Sequence, residues 1–340
     1  MKAVILAGGK GTRLLPVTQG AIPKPMALLA GRPVLEHLLR RLAASGVTDV
    51  CCTLQCLPDQ IEEYFGSGAS LGLRIHYRVE TAPLGTAGAV RNCLDFLDAR
   101  PFLVLSGDGV FDFDLRPLAE AQRRHGVLAA MALYPQAAPL SYGLALTDRR
   151  GFIRGFIEKP GWSRVVTDLV NTGIYALDPR ALEAVPPDTP FDFARDLFPL
   201  LLARGEPLFG LPMEGYWKDI GDPLSYYQAN LDALEGRIRP LPGEERTSRT
   251  PSAEPTERED TRRYAYTASV DTARRARLMH ALSSSLMEAG ADFTDGLSLP
   301  AAPGGLHIRP ESSAGRIRLE SDSEATLRQY TDLARRLDKG

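Results

Sequence analysis

Between Met1 and Gly236 the chain alternates short apolar runs with stretches whose apolar residues recur every three or four positions. Lys2–Ala7 is an apolar run that ends in glycine, and it predicts a first buried strand. Val34, Leu35, Leu38, Leu39 and Leu42 share one face of a helix predicted over Pro33–Ser45, with Pro33 in its first turn and Gly46 as its stop. A strand over Val47–Gln55, a short helix over Asp59–Phe65 and a strand over Arg74–Arg78 follow. Next come a helix over Thr86–Leu97 and a strand over Phe102–Ser106, which feeds Gly107 and Asp108. This alternation predicts an α/β fold with a doubly wound, mainly parallel sheet. Ligands of such sheets bind beyond the carboxyl ends of the strands.

The pattern breaks at Arg237. From there to Arg263 the chain is rich in Pro, Ser, Thr, Glu and Arg, has almost nothing large and apolar to bury, and reads as a flexible linker. Residues 264–340 read as a small α+β domain. It has strands at Tyr264–Ser269, near Leu297, at Leu306–Arg309 and at Arg316–Glu320, and helices at Thr272–Ala289 and Glu324–Leu337. The division expected is therefore 1–236, 237–263 and 264–340.

Composition narrows the functions. A formal net charge of -2 supplies no chain-wide basic field, so nucleic acid is not an expected partner. The longest apolar stretches, such as Leu197–Ala203, are too short to cross a bilayer. The apolar run after Lys2 is likewise too short for a signal peptide, and a cytoplasmic protein is expected. Cys51, Cys52, Cys56 and Cys93 form no CxxC pair and read as reduced thiols. The five histidines show no metal-ligand or triad spacing, and His37 reads as structural.

The candidate chemistry sits at strand ends. Leu6-Ala7-Gly8-Gly9-Lys10-Gly11-Thr12-Arg13 is a glycine turn after a strand, which lets backbone N–H groups approach phosphate oxygens. Arg13 can grip a phosphate with two parallel hydrogen bonds, and Lys24 is a point charge on the stiff segment Pro23-Lys24-Pro25. The loop is neither a GxxxxGK[ST] phosphate loop nor a GxGxxG turn. Asp108 and Asp219 are two carboxylates able to share one Mg²⁺, although either alone also suits a turn or a cap. Glu158 and Asn171 can hydrogen-bond sugar hydroxyls and Lys159 can pair with a phosphate. Read singly, Glu158-Lys159-Pro160 is also a solvated strand end and Asn171-Thr172-Gly173 a turn. Pro83–Ala89 offers a side-chain-free helix start at Gly85 and Thr86 for a base or phosphate, or a plain N-cap at Thr86.

Taken in order, these motifs resemble the sugar-phosphate nucleotidyltransferase family from Met1 to about Gly236, closest to mannose-1-phosphate guanylyltransferase-like chains. Phe191-Asp192-Phe193 leading to Asp196-Leu197-Phe198-Pro199, and Glu158–Trp162, carry that closer likeness. The resemblance implies a Rossmann-like domain. It implies nucleotide binding by Gly8, Gly9, Gly11, Thr12, Arg13, Gly85 and Thr86, and catalysis by Arg13, Lys24, Asp108 and Asp219. Mg²⁺ would lie on Asp108 and Asp219, and Gly143, Glu158, Lys159 and Asn171 would hold the sugar phosphate. The implied substrates are an NTP, with GTP preferred, and a sugar 1-phosphate, with mannose 1-phosphate first. A homo-oligomer is compatible with this reading.

The tail resembles the last domain of a phosphohexomutase at Asp295-Gly296 and Ile308–Ser313, with Arg309, Ser312 and Ser313 matching its phosphate loop. The residues that continue that loop in the mutases are replaced by Ala314-Gly315-Arg316, and no mutase activity is expected. Two stretches depart from the transferase pattern: the loop from Thr18 to Pro23, and the apolar Gly109-Val110-Phe111 after Asp108. A glucose-1-phosphate thymidylyl- or uridylyltransferase is the alternative within the family. A non-catalytic nucleotide-sugar-binding regulatory subunit is the alternative of another class.

Overall fold

A computed structural model describes residues 1–241, the strands Tyr264–Ser269, Leu297–Leu299, Leu306–Glu311 and Arg316–Ser321, and residues 323, 325 and 328. The chain divides into two compact units. Met1–Gly11, Gly20–Asp219 and the described residues from Glu235 onward form the first. Thr12–Gln19, Ile220–Leu234 and the C-terminal strands belong to the second.

In the first unit, strands β1 (Lys2–Leu6), β2 (Asp49–Leu54), β3 (Arg74–Val79) and β4 (Phe102–Ser106) are parallel neighbours in the order β3-β2-β1-β4. Ala3, Val4 and Ile5 are all buried, as a strand covered on both faces requires. Successive residues alternate between two cores: Ile5 and Cys52 pack with the helix α1 (Val34–Ala44), whereas Val4 and Cys51 pack with Phe102, Phe193 and Phe198. Gly46, in the left-handed region at φ 79°, turns the chain from that helix into β2. The helix expected over Asp59–Phe65 spans Pro58–Phe65 and is named α2.

β5 (Gly109–Phe111) leaves the sheet after Asp108. Helix α4 (Arg116–His125) is followed by β6 (Ala129–Pro135), β7 (Gly143–Thr147), β8 (Ile153–Glu158) and β9 (Leu169–Leu177). β9 pairs antiparallel with β4, β6 and β7, so the sheet changes from parallel to mixed beyond β4. β10 (Leu208–Pro212) pairs parallel with β6, and β11 (Trp217–Asp219) pairs antiparallel with β5. The apolar stretch that departs from the family pattern is thus the strand β5, with Val110 and Phe111 buried. The helix expected over Thr86–Leu97 is shorter: α3 covers Gly85–Arg91. After it, bonds from Cys93 to Val90 and from Leu94 to Arg91 tighten the chain into turns. α5 (Phe198–Ala203) continues a π turn at Phe193–Leu197. Cys51, Cys52 and Cys93 are buried free thiols, and His37 Nε2 lies 2.9 Å from the Leu29 carbonyl, a structural contact.

In the second unit, α6 covers Pro223–Leu234. β12 (Tyr264–Ser269), β13 (Leu297–Leu299), β14 (Leu306–Glu311) and β15 (Arg316–Ser321) form an antiparallel sheet in the order β12-β15-β14-β13. The helix expected over Thr272–Ala289, nearly all of that over Glu324–Leu337, and Asp295, Gly296, Ser312 and Ser313 lie outside the described residues. So does the expected linker beyond Leu241. The start of that linker is anchored in the first unit: the Arg239 N–H donates to Asp112 Oδ2 at 2.8 Å.

Candidate active site

The glycine turn leaves β1 at the carboxyl end of the parallel strands. Its Ala7 N–H donates to the Thr53 carbonyl of β2, and the Gly107 N–H of the β4 end donates to the Leu6 carbonyl at 2.9 Å. A Cβ on Gly107 would come within 2.7 Å of that same carbonyl oxygen, so only glycine lets the two strand ends abut. Gly9 is exposed with open space over its Cα, which leaves its backbone accessible. Gly11 has φ 59°, and a Cβ there would be 2.9 Å from Lys24 Cβ. The turn therefore closes on Lys24. Thr12 and Arg13 follow in the second unit, as exposed residues of a short 3₁₀ turn over Thr12–Leu14.

Lys24 and Asp108 are brought together. Lys24 opens a 3₁₀ turn between its two prolines, and its Nζ sits 2.5 Å from Asp108 Oδ2. The Lys24 side chain is only 9% exposed and that of Asp108 30%. Asp108 Oδ1 accepts from Ser106 Oγ at 2.6 Å. Burial alone would push the Asp108 carboxyl up. The Lys24 charge and hydrogen bond, with help from Ser106, outweigh it and hold the group below its usual range. Asp108 is thus ionised at neutral pH.

Asp219 reaches the same place through the β5–β11 ribbon, where it stands opposite Gly109, the residue after Asp108. The ribbon is held by Asp112. The Tyr216 N–H donates to Asp112 Oδ1 at 2.7 Å, and the Asp112 N–H donates to the Tyr216 carbonyl at 3.1 Å. Trp217 is buried against Tyr134 and Tyr142. Among the described residues no group of three or more His, Cys, Asp or Glu side chains could hold a metal ion. Two carboxylates fit a hard cation such as Mg²⁺, which keeps water and phosphate oxygens in its remaining positions.

Gly143, Glu158 and Asn171 line one cavity of about 260 Å³, together with Phe156, Ala194, Arg195 and Pro199. The β7–β8 register sets Glu158 opposite Gly143, where a Cβ would be 2.8 Å from Glu158 Oε2. Asn171 Oδ1 accepts from the Gly173 N–H and the Tyr175 hydroxyl at 3.0 and 3.1 Å. The irregularity in β9 after Asn171 swings Gly173 beside Ser106, the hydroxyl partner of Asp108. Lys159 is exposed just past β8, with φ 38°, and its N–H donates to the Tyr142 carbonyl.

Gly85 and Thr86 open the helix α3. The Ala87 and Gly88 N–H groups at the start of α3 donate to the Phe191 carbonyl at 2.9 and 3.0 Å, so these two donors are already engaged, while Gly85 itself is exposed. Thr86 is not the cap, since α3 begins at Gly85 after Leu84. Its hydroxyl donates to Asp192 Oδ2 and accepts from the Phe193 N–H, both at 2.9 Å.

Glu80 is the polar group on this side that the motifs did not mark. It follows β3, its carboxylate accepts from the Leu84 N–H at 3.3 Å, and its Oε1 is 3.5 Å from where a Cβ on Gly8 would stand. Burial raises its pKa, against the pull of Leu84 and Thr53. An acidic residue one step past a strand reads as solvated in sequence. The turn Pro83-Leu84-Gly85, which folds back over it, was the available signal.

The glycine turn and the Lys24–Asp108 pair lie at the carboxyl ends of the parallel strands, where ligands of α/β sheets bind, and the antiparallel ribbon sets Asp219 opposite the residue after Asp108. The chain belongs to the nucleotidyl transferase family, which matches residues 2–236. It is 35% identical over 252 residues to a UTP–glucose-1-phosphate uridylyltransferase of Synechocystis, covering 70% of this chain and 65% of that one. It is 36% identical over 241 residues to a mannose-1-phosphate guanylyltransferase of Mycobacterium tuberculosis, covering 71% of this chain and 66% of that one. The chain thus spans slightly less than two thirds of these curated relatives. HddC from Yersinia pseudotuberculosis, solved with GMP-PN, superposes with a TM-score of 0.59 at 29% identity, over 68% of this chain and 98% of that one.

Proposed function

We propose that this protein transfers a nucleotidyl group from an NTP to a sugar 1-phosphate, giving an NDP-sugar and pyrophosphate. The observation that carries the reading is the Lys24–Asp108 pair with Asp219 one register step away, between the glycine turn and the Glu158–Asn171 cavity. The sugar phosphate oxygen that attacks is already ionised, so no general base is required. Alignment and charge neutralisation suffice. Gly8, Gly9, Gly11, Thr12 and Arg13 bind the triphosphate, and Lys24 moves from Asp108 to the phosphates. Glu158 and Asn171 orient the sugar, with Lys159 near its phosphate. Asp108 and Asp219 would hold Mg²⁺, which supplies charge neutralisation at the α-phosphate.

GTP with mannose 1-phosphate is the pair we favour, in a cytoplasmic enzyme. Glu80 supports the guanine choice. A half-buried carboxylate accepts from two adjacent donors, and guanine offers N1–H and its 2-amino group side by side. Uracil and thymine present a single N3–H flanked by carbonyl oxygens, which a carboxylate repels. The uridylyltransferase relative keeps UTP with glucose 1-phosphate as the second reading. Pyrophosphate release over a matrix of NTPs and sugar 1-phosphates decides between them. A tenfold higher kcat/KM for the glucose pair, equivalent to about 1.4 kcal/mol, would overturn the choice. Glu80→Gln should narrow the GTP-over-UTP preference by roughly tenfold, since an amide can donate to a uracil carbonyl. No turnover with any pair would leave the regulatory-subunit reading.

A further inference from the structure

We infer that the segment Phe191–Arg195 couples the nucleotide side of the site to the sugar cavity, with Thr86 and Asp192 as the positioning residues. The inference rests on the functional reading above and adds to it a physical link between the two substrates.

Three observations place the link. The backbone of Phe191 is locked to the loop before and at α3: its N–H donates to the Leu84 carbonyl at 2.9 Å, and its carbonyl takes the Ala87 and Gly88 N–H groups. The fit is close, because a Cβ on Gly85 would lie 2.7 Å from the Phe191 carbonyl oxygen. Next, the two oxygens of Asp192 face opposite ways. Oδ2 takes the Thr86 hydroxyl, while Oδ1 takes the Ala194 and Arg195 N–H groups at 2.9 and 3.1 Å. Finally, Ala194 and Arg195 line the sugar cavity, whereas Thr86 and Asp192 do not. Thr86 closes the clasp by accepting the Phe193 N–H, and Asp196 closes the far end by accepting the Asp192 N–H at 2.7 Å.

Glu80 accepts the Leu84 N–H, so a base that engages Glu80 acts on the loop to which Phe191 is fastened. A shift of that loop cannot be absorbed between Leu84 and Arg195 without leaving an N–H or the Asp192 carboxylate unsatisfied, which is costly in a half-buried position. The loop and the cavity wall therefore move as one piece. Nucleotide binding sets the wall against which the sugar 1-phosphate is oriented.

The test uses the full chain and the NTP that the substrate matrix selects, so a wrong base in the functional reading changes the reagent and not the outcome. Thr86→Val keeps the shape and removes the hydroxyl. It should raise the KM for the sugar 1-phosphate by roughly tenfold, the scale of a lost hydrogen bond to a charged group, although Thr86 lines no part of the sugar cavity. The kcat at saturation should change far less, and Thr86→Ser should restore the wild-type KM. Hydrogen exchange of peptides spanning residues 191–197 supplies a readout that needs no turnover. NTP with Mg²⁺ should protect them in the wild type and not in Thr86→Val. A sugar KM within about twofold of wild type, or wild-type peptides that gain no protection from the NTP, would overturn the coupling. Loss of melting temperature with both KM values unchanged would also overturn it, by reducing the clasp to a structural brace.

Discussion

Asp112→Asn tests whether the β5–β11 ribbon is what delivers Asp219. The Asp112 side chain is 1% exposed, and it accepts the Tyr216 N–H through Oδ1 and the Arg239 N–H through Oδ2. An asparagine of the same shape keeps one acceptor oxygen and turns an NH₂ group toward the other N–H. One partly buried donor is then orphaned against a second donor, at a cost of about 1–3 kcal/mol. The ion pair with the Arg239 side chain adds little, because that side chain is 66% exposed and screened. For a domain of this size each kcal/mol is worth about 2–4 °C in Tm. Tyr216 stands two residues before Lys218 and three before Asp219, so loosening it displaces Asp219 from its register opposite Gly109. Calorimetry should show a fall of several degrees, and pyrophosphate release should show a lower kcat with a raised Mg²⁺ requirement. A Tm within about 1 °C of wild type and an unchanged Mg²⁺ titration would refute the argument.

Asp108→Asn and Asp219→Asn should each reduce kcat by about a hundredfold or more, the scale of losing one preorganised charge-stabilising group; near-wild-type rates with Mg²⁺ would remove the metal assignment. Lys24→Ala and Arg13→Ala should impair turnover while leaving the protein folded. Water can reach the 30% exposed Asp108 side chain in place of Lys24 Nζ, and Arg13 is exposed; matched losses in melting temperature and activity would make them structural instead. Because Arg239 holds Asp112, a chain ending after Gly236 should melt about 2 °C or more below one ending after Leu241, and equal melting would place the end of the transferase domain at Gly236. The Tyr264–Gly340 fragment should show no mutase activity. NMR shifts at Arg309, Ser312 and Ser313 with millimolar mannose 1-phosphate would give it a phosphate-binding role, and their absence would leave it a packing domain.

The parts of the site that were legible in the sequence are those that a local pattern specifies. A glycine turn after an apolar run marks Gly8–Arg13, and a lysine between prolines marks Lys24. An aspartate after a buried strand marks Asp108. The boundaries of β1, α1, β2 and β4 were legible for the same reason, since apolar periodicity is a local signal. The illegible parts depend on partners distant in the chain. Thr86 read as a nucleotide contact or an N-cap, because a hydroxyl near a helix start usually serves as a cap, yet the hydroxyl donates to Asp192. The apolar Gly109-Val110-Phe111 read as a departure beside the site until its pairing with Trp217–Asp219 gave it a reason: two buried side chains seat the strand that carries the second carboxylate. Asp112 carried no signal, since a single aspartate in a loop has no period and no motif.

Close backbone packing explains why charged groups can be held here without a dense ring of ligands. At Gly107 the absence of a side chain lets the end of β4 lie directly against the end of β1, so Asp108 is fixed relative to the glycine turn by backbone hydrogen bonds. At Gly143 the same absence makes room for the Glu158 carboxylate on the neighbouring strand. Each acidic group is therefore positioned by strand register, which a rigid sheet maintains, and not by the rotamers of long side chains. Lys24 is held differently: its ammonium rests on Asp108 and the start of its side chain lies against the glycine turn at Gly11. A site that binds anionic substrates has to keep a cation in place while empty without leaving it unpaired in a half-buried pocket. On the proposed function, an ion pair that exchanges one oxygen partner for another would meet that requirement, because the lysine would keep a charged partner before and after the phosphates arrive.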